Sequence, residues 1–242
     1  MLKALFFDMD DTLCDTQSAN QKAIDWLLSE LAQFDFFDHK TFVSQYLAAI
    51  YRELDEALKK MTDAIHDESD YRHFVFDYFL KKHGVEERDE LMSYVALFDA
   101  KRIEYYDFYS GVKDMLITLR KDYTLVLITN GPAYSQVPKV EQVQMSNYCD
   151  YVLIGGLEPE QKPAKSIFDK ACQLANCSSS EAIHVGDSLS SDIKGAKAAG
   201  IKSFWIKPEF TEFSSENSES DYVADSVLHL DKVLELENNH HE

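Results

Sequence analysis

The sequence predicts an α/β protein: a parallel sheet with helices on both faces, and a block of helices inserted after the first strand. Three observations lead there. Short apolar runs recur along the 242-residue chain, each continuous rather than alternating, as strands buried on both faces are. Segments with apolar residues at helical spacing separate the later runs, and such alternation with short connections makes a sheet of right-handed crossovers. From about Gln17 to Asp107 there is helical periodicity and no clear strand.

The first strand is read in "KALFF" (3–7). The inserted block follows, with helical spacing in "AIDWLLSELAQF" (23–34), "FVSQYLAAIYRELDEAL" (42–58) and "YRHFVFDYFLKKHG" (71–84). Its aromatics Trp26, Tyr46, Phe74, Phe76 and Phe79 are read as helix-packing residues. The later strands are "TLVLIT" (124–129), "YVLIGG" (151–156), "AIHVGD" (182–187) and "KSFWIK" (202–207). The helices among them are "VKDMLITLRKD" (112–122), "YSQVPKVEQVQM" (134–145), "PAKSIFDKACQLA" (163–175) and "SSDIKGAKAAG" (190–200). Gly200 stands where a left-handed C-cap is expected. The tail reads as a solvated loop, "SSENSESD" (214–221), and a last helix over 227–237. The sheet is Rossmann-like, and the division is 1–17 core, 18–106 helical insertion, 107–242 core.

Composition narrows the partners. A formal charge of −19 argues against nucleic acid and against an anionic membrane surface, though not against a small anionic substrate met by local positive charge. No apolar stretch reaches the length of a membrane span, and no leader pattern precedes the first strand, so a cytoplasmic location is expected. Cys14, Cys149, Cys172 and Cys177 show no CxxC or zinc-site spacing and read as free thiols of a reducing compartment. His240 and His241 are an isolated pair, not a ligand set.

The first strand ends abruptly in "DMDDT", with Asp8, Asp10 and Asp11 crowded together. Like charges at this range raise one another's pKa unless something positive sits among them. An EF-hand loop would explain the alternation, but its sixth position is Leu13 instead of glycine and its twelfth is Ala19 instead of glutamate. Asp at a strand end can also simply cap a turn. However, open α/β sheets bind ligands outside the carboxyl ends of their strands. At those ends stand Thr129-Asn130-Gly131 and Gly186-Asp187-Ser188, and Lys162 precedes a helix start in "EPEQKPAKSIF". Acids, a hydroxyl, an amide and one lysine suit a phosphate and a hard cation.

These residues resemble the haloacid dehalogenase-like phosphohydrolases. The DxDxT motif of that family is matched by Asp8 to Thr12, its strand-end Thr or Ser by Thr129, its lysine by Lys162, and its GDxxxxD by Gly186 to Asp192. The four occur in order and cover the core; over the insertion the likeness is one of position and helical character. The resemblance implies Asp8 as nucleophile forming an aspartyl-phosphate and Asp10 as general acid and then base. It implies Mg2+ held by an Asp8 oxygen, the Asp10 carbonyl and Asp187, with Asp192 orienting that shell. It further implies Thr129, Asn130 and Lys162 on the phosphoryl oxygens, Lys162 also balancing charge. Asp11 remains a turn or supporting residue.

Asp10 implies an oxygen leaving group, since the family's true dehalogenases lack that acid. The insertion is similar to the family's mobile cap, which closes over small phosphorylated metabolites. The wording of the core looks most like the branch acting on N-acylneuraminate 9-phosphate, with a nucleoside-monophosphate phosphatase as the alternative. A sugar phosphomutase would use the same residues, and a non-catalytic scaffold is disfavoured because Asp8, Asp10 and Lys162 are all present. After "TNG" the neuraminate branch tends to carry charged residues, whereas here stand Pro132, Ala133, Tyr134 and Ser135. Arg52, Arg72, Lys101 and Arg102 are the cations available in the insertion for a carboxylated substrate.

Overall fold

The computed structural model describes residues 1–35, 37–86, 89–208 and 219–239. The chain divides into two compact units, Met1–Gln17 with Tyr106–Glu242, and Ser18–Tyr105.

The first unit is built on β1 (Ala4–Phe7), whose four residues are all buried. Its neighbours are β2 (Thr124–Thr129) on one side and β4 (Ala182–Gly186) on the other; β3 (Tyr151–Ile154), β5 (Lys202–Ile206) and β6 (Tyr222–Ala224) complete the sheet. The order is β3-β2-β1-β4-β5-β6, and every pairing is parallel. A central strand with apolar side chains on both faces must be covered on both, which explains its unbroken run. Against one face, Phe6 and Ile128 pack with Ile167 and Phe168 of α8 (Lys165–Leu174) and Ala196 of α9 (Lys194–Ala199). The other helices of this unit are α6 (Val112–Leu119), α7 (Ala133–Gln142) and α10 (Leu230–Asn239).

The structure trims and amends several expectations. β3 stops at Ile154 and passes into a 3₁₀ turn, Gly155–Leu157. A Cβ on Gly156 would stand 2.6 Å from the Pro132 main chain, so the chain turns where only glycine fits. The helix expected over 190–200 starts as a π turn, Leu189–Ile193, before α9, and Gly200 caps it with φ 71°. β6 was not foreseen: it pairs with β5 through Phe204↔Tyr222, and Asp221 accepts from the Ser203 amide and hydroxyl at 2.8 Å. Residues 214–218 of the expected loop, with His240 and His241, lie outside the described residues.

Among its described residues the second unit has helices and no strand. Where the sequence suggested three long runs it has most of α1 (Thr16–Leu31), then α2 (His39–Ile50), α3 (Glu56–Thr62), α4 (Glu68–Lys82) and α5 (Asp89–Glu104). The run expected over 42–58 breaks at Arg52, which takes a left-handed backbone (φ 65°), and restarts at Asp55, whose carboxylate caps the Leu58 amide at 2.8 Å. The aromatics pack as anticipated. Phe76 meets Phe42 and Tyr46 edge-on, with centroids 4.9 and 5.0 Å apart. No helix among the described residues is long and apolar enough to cross a membrane.

Phe76 is fully buried between two other rings. Phe76→Ala is expected to destabilise the helical unit by about 3–5 kcal/mol through the cavity it leaves. Chemical denaturation followed by far-ultraviolet circular dichroism measures this; an unchanged midpoint would show that the ring cluster does not hold this unit.

Candidate active site

Three segments at the carboxyl edge of the sheet bring opposite charges together out of water. Asp8 follows β1, Lys162 precedes α8, and Asp192 lies in the π turn after β4. The Lys162 ammonium, 3% exposed, donates to Asp8 Oδ1 at 2.5 Å and to Asp192 Oδ1 at 2.7 Å. An ammonium so deeply placed stays charged only because both carboxylates meet it. Burial would lower its pKa, but Asp192 and Asp8 raise it above its ordinary value.

Each partner is fixed by a further contact. The Asn130 side chain clamps the Lys162 main chain, its amide donating to the Lys162 carbonyl at 2.8 Å and its oxygen accepting from the Lys162 amide at 2.9 Å. This positioning use of Asn130 was not part of the expectation, which gave it a phosphoryl contact. Asp192 Oδ1 also accepts from His184 Nε2 at 2.9 Å, and Oδ2 accepts from the Ser188 amide at 3.0 Å. Burial keeps His184 below its ordinary pKa, so the neutral ring carries its proton on Nε2, facing the carboxylate. Burial alone would raise Asp192, yet Lys162 and His184 hold it well below the usual carboxylate range. The glycine of the "GD" pair is explained here: a Cβ on Gly186 would stand 2.3 Å from Asp192 Cγ.

Asp8, Asp187 and Asp192 form a cluster in which one carboxylate oxygen from each lies within 4.8 Å of the others. Burial, against the pull of Lys162 and with the like charge of Asp192, pushes the Asp8 carboxyl up to about 8. Burial and the neighbouring charges of Asp192 and Asp11 push Asp187 up to about 7. Three carboxylates and one ammonium, if all are ionised, sum to −2. A hard divalent cation would cancel it, and an all-oxygen donor set is what such an ion takes. The residues therefore fit the group. Because the oxygens of Asp192 already accept three hydrogen bonds, Asp8 and Asp187 are the members better able to take it.

Asp10, two residues on, stands apart from that lysine. Its Oδ1 accepts from Thr16 Oγ1 (2.8 Å), the Tyr106 hydroxyl (2.7 Å) and Lys139 Nζ (2.9 Å). Its Oδ2 accepts from Gln136 Nε2 and Lys139 Nζ, both at 2.9 Å. Burial would raise this carboxyl, but Lys139 and the Gln136 hydrogen bond outweigh it and hold it below its ordinary value. Gln136 Nε2 also donates to Thr129 Oγ1 at 2.6 Å, which ties the end of β2 to α7. Asp11 forms the turn, with φ 56° and its amide bonded to the Cys14 carbonyl at 2.9 Å. Cys14 is buried, and that burial pushes its thiol up, away from reactivity.

Thr16, Tyr106, Gln136, Lys139 and His184 are residues that the sequence reading missed. Gln136 and Lys139 left one available signal, an amide and an ammonium three positions apart in a helix that follows a motif strand. Periodicity assigns such a pair to solvent. In the helical unit each available cation already has a partner. Arg72 meets Glu68 at 2.8 Å and also Asp99; Arg52 meets Glu68 at 2.9 Å and lies 3.3 Å over the Tyr71 ring. Arg102 donates to Asn20 at 2.8 Å, and Lys101 to Glu104 at 2.7 Å.

A buried lysine shared by two aspartates thus stands at the carboxyl edge of the parallel sheet. The family model of the haloacid dehalogenase-like hydrolases matches residues 5–206, and the chain belongs to that family. It is similar to the glyceraldehyde 3-phosphate phosphatase of Pyrococcus furiosus, 30% identical over 98% of this chain and 95% of that protein. It is likewise similar to the N-acylneuraminate-9-phosphatase of Mus musculus, 30% identical over 97% of this chain and 94% of its relative. Among solved structures, the HAD-hydrolase YfnB of Bacillus subtilis bound to magnesium shares the fold. Its TM-score is 0.67 at 22% identity, covering 96% of this chain and 98% of that one. The chain is an enzyme, a phosphoric monoester hydrolase of its family.

The space kept by Gly186 is needed for the Asp192 carboxylate. Gly186→Ala is expected to cost about 1–3 kcal/mol by overpacking, while displacing Asp192 from Lys162. A thermal melt beside the wild type checks this, and an unchanged melting temperature would mean that Asp192 can relocate freely.

Proposed function

We propose that the chain is a magnesium-dependent phosphatase that hydrolyses a small phosphomonoester through an aspartyl-phosphate on Asp8. The observation that carries this reading is the buried lysine. Lys162 lies 2.5 Å from Asp8, where it holds that carboxylate and leaves positive charge beside an incoming dianion. Asp8 then forms a bond to phosphorus as the bond to the leaving oxygen breaks, and Asp10 protonates that oxygen. In the second half, water attacks the same phosphorus, its proton passes to Asp10, and Asp8 is released.

Thr129 and the main chain at Asn130 are assigned to the phosphoryl oxygens together with Lys162. The Asn130 side chain keeps Lys162 in place. Asp8, the Asp10 carbonyl and Asp187 would hold the magnesium, with Asp192 orienting the group through Lys162. When bound, the ion supplies the charge that draws phosphate and carboxylate together.

The helical unit, Ser18–Tyr105, is assigned the part of a cap that selects the leaving group. The two relatives are named for phosphates of a small aldehyde and of an acidic sugar. A small sugar phosphate such as N-acylneuraminate 9-phosphate is therefore the substrate class proposed. Four unpaired thiols favour a reducing, cytoplasmic setting.

The test is release of inorganic phosphate from a panel of N-acylneuraminate 9-phosphate, other sugar phosphates and nucleoside monophosphates, with and without magnesium. Release from the sugar phosphates is expected, lost with chelator, restored by magnesium and abolished in Asp8→Asn. Preference for the nucleotides would replace the substrate class. Release that persists in Asp8→Asn would overturn the mechanism.

A further inference from the structure

The Asp10 carboxylate is ringed by hydrogen-bond donors. Its two oxygens offer about four lone-pair sites, and five donations from four side chains reach them. Two of those side chains are unusual for their place. Gln136 and Lys139 are the residues that α7 buries, at 2% and 9% exposure, although an amphipathic helix would turn an amide and an ammonium outward. A lysine is buried only where a charge meets it, and the charge meeting Lys139 Nζ is Asp10, 2.9 Å from both oxygens. The Tyr106 ring, 5.3 Å from the same ammonium, adds a favourable face. Gln136 fixes the helix as well, bridging Asp10 to Thr129.

We propose that Lys139, with Gln136 beside it, is the positioning residue for the second half-reaction, holding the Asp10 carboxylate in one orientation while it acts as base. This rests on the phosphatase reading above. In the first half the Asp8 oxygen bonds to phosphorus, the bond to the leaving oxygen breaks, and that oxygen takes the proton of Asp10. Asp10 is then a carboxylate, and the donor set around it is the one such an anion needs. In the second half the water oxygen bonds to phosphorus, the Asp8–phosphorus bond breaks, and the water proton returns to Asp10. Between the two halves Asp10 is a full carboxylate, and the Lys139 ammonium, 2.9 Å from both of its oxygens, fixes the direction in which it meets the water proton.

The experiment is rapid-mixing kinetics of the magnesium-loaded full chain with p-nitrophenyl phosphate, whose leaving group departs without a proton donor. Lys139→Met is expected to keep a burst of about one nitrophenolate per enzyme at a near wild-type rate. Steady turnover should then fall by about 10- to 100-fold, with a lower KM as the aspartyl-phosphate accumulates. Lys139→Arg should recover most of the turnover. Gln136→Leu, which keeps the ammonium, should show the same burst with a loss of about 3- to 10-fold, the worth of one hydrogen bond; it carries the test if Lys139→Met does not fold. Wild-type turnover in the folded variants would overturn the proposal, as would burst and turnover falling together. Asp8→Asn separates the two readings. If it abolishes the burst, any failure belongs to Lys139 alone; if the burst survives, the phosphatase mechanism fails and this proposal with it.

Discussion

The pairing of one buried ammonium with two buried carboxylates constrains nearly everything else in the core unit. Breaking such a group by removing one member typically costs about 3–5 kcal/mol, because an unmatched charge is left in a medium that cannot solvate it. Lys162, Asp8 and Asp192 therefore have to arrive together, from three separate parts of the chain. A parallel sheet makes that feasible, since the carboxyl ends of β1 and β4 lie side by side and the segment after β3 returns along the same edge. The smaller features serve this meeting. Asn130 holds the lysine by its main chain, His184 and the Ser188 amide occupy Asp192, and Gly186 gives up its Cβ to make room. A partly satisfied version of the network would be worse than an apolar core, which is why each member carries more than one contact.

What could be read from the sequence depended on whether a residue's surroundings were local. The central strands were legible because burial on both faces leaves an unbroken apolar run, and Asp8 and Asp187 because they follow such runs; Lys162 and Asp192 were reached through the order of the family's motifs. β6 was not. It is three residues long at a sheet edge, none of them fully buried, and it is fixed by Asp221 reaching Ser203 rather than by its own pattern. The break between α2 and α3 was hidden as well. No glycine or proline marks it; the left-handed residue there is Arg52, held over Tyr71 and paired with Glu68 from a later helix. Gln136 and Lys139 were unreadable for a related reason. Their partner, Asp10, lies well over a hundred residues away, and a polar residue on a helix looks solvated until its burial is known.

The two aspartates of the first motif show how two identical side chains, two residues apart, can be given opposite characters. Asp8 is deeply buried, shares its lysine with Asp192 and has Asp187 close by, so burial first and the like charges second raise its pKa against the pull of Lys162. Asp10 has an ammonium to itself, with an amide and two hydroxyls, and its pKa falls. The turn from Met9 to Cys14 separates them: the Leu13 and Cys14 amides both bond the Met9 carbonyl, and Asp11 takes the left-handed conformation that closes it. The two environments thus push two neighbouring carboxyls in opposite directions. Asp8 is left short of positive charge, the state in which a divalent cation gains most by arriving. Asp10 is already satisfied as an anion by the donors around it.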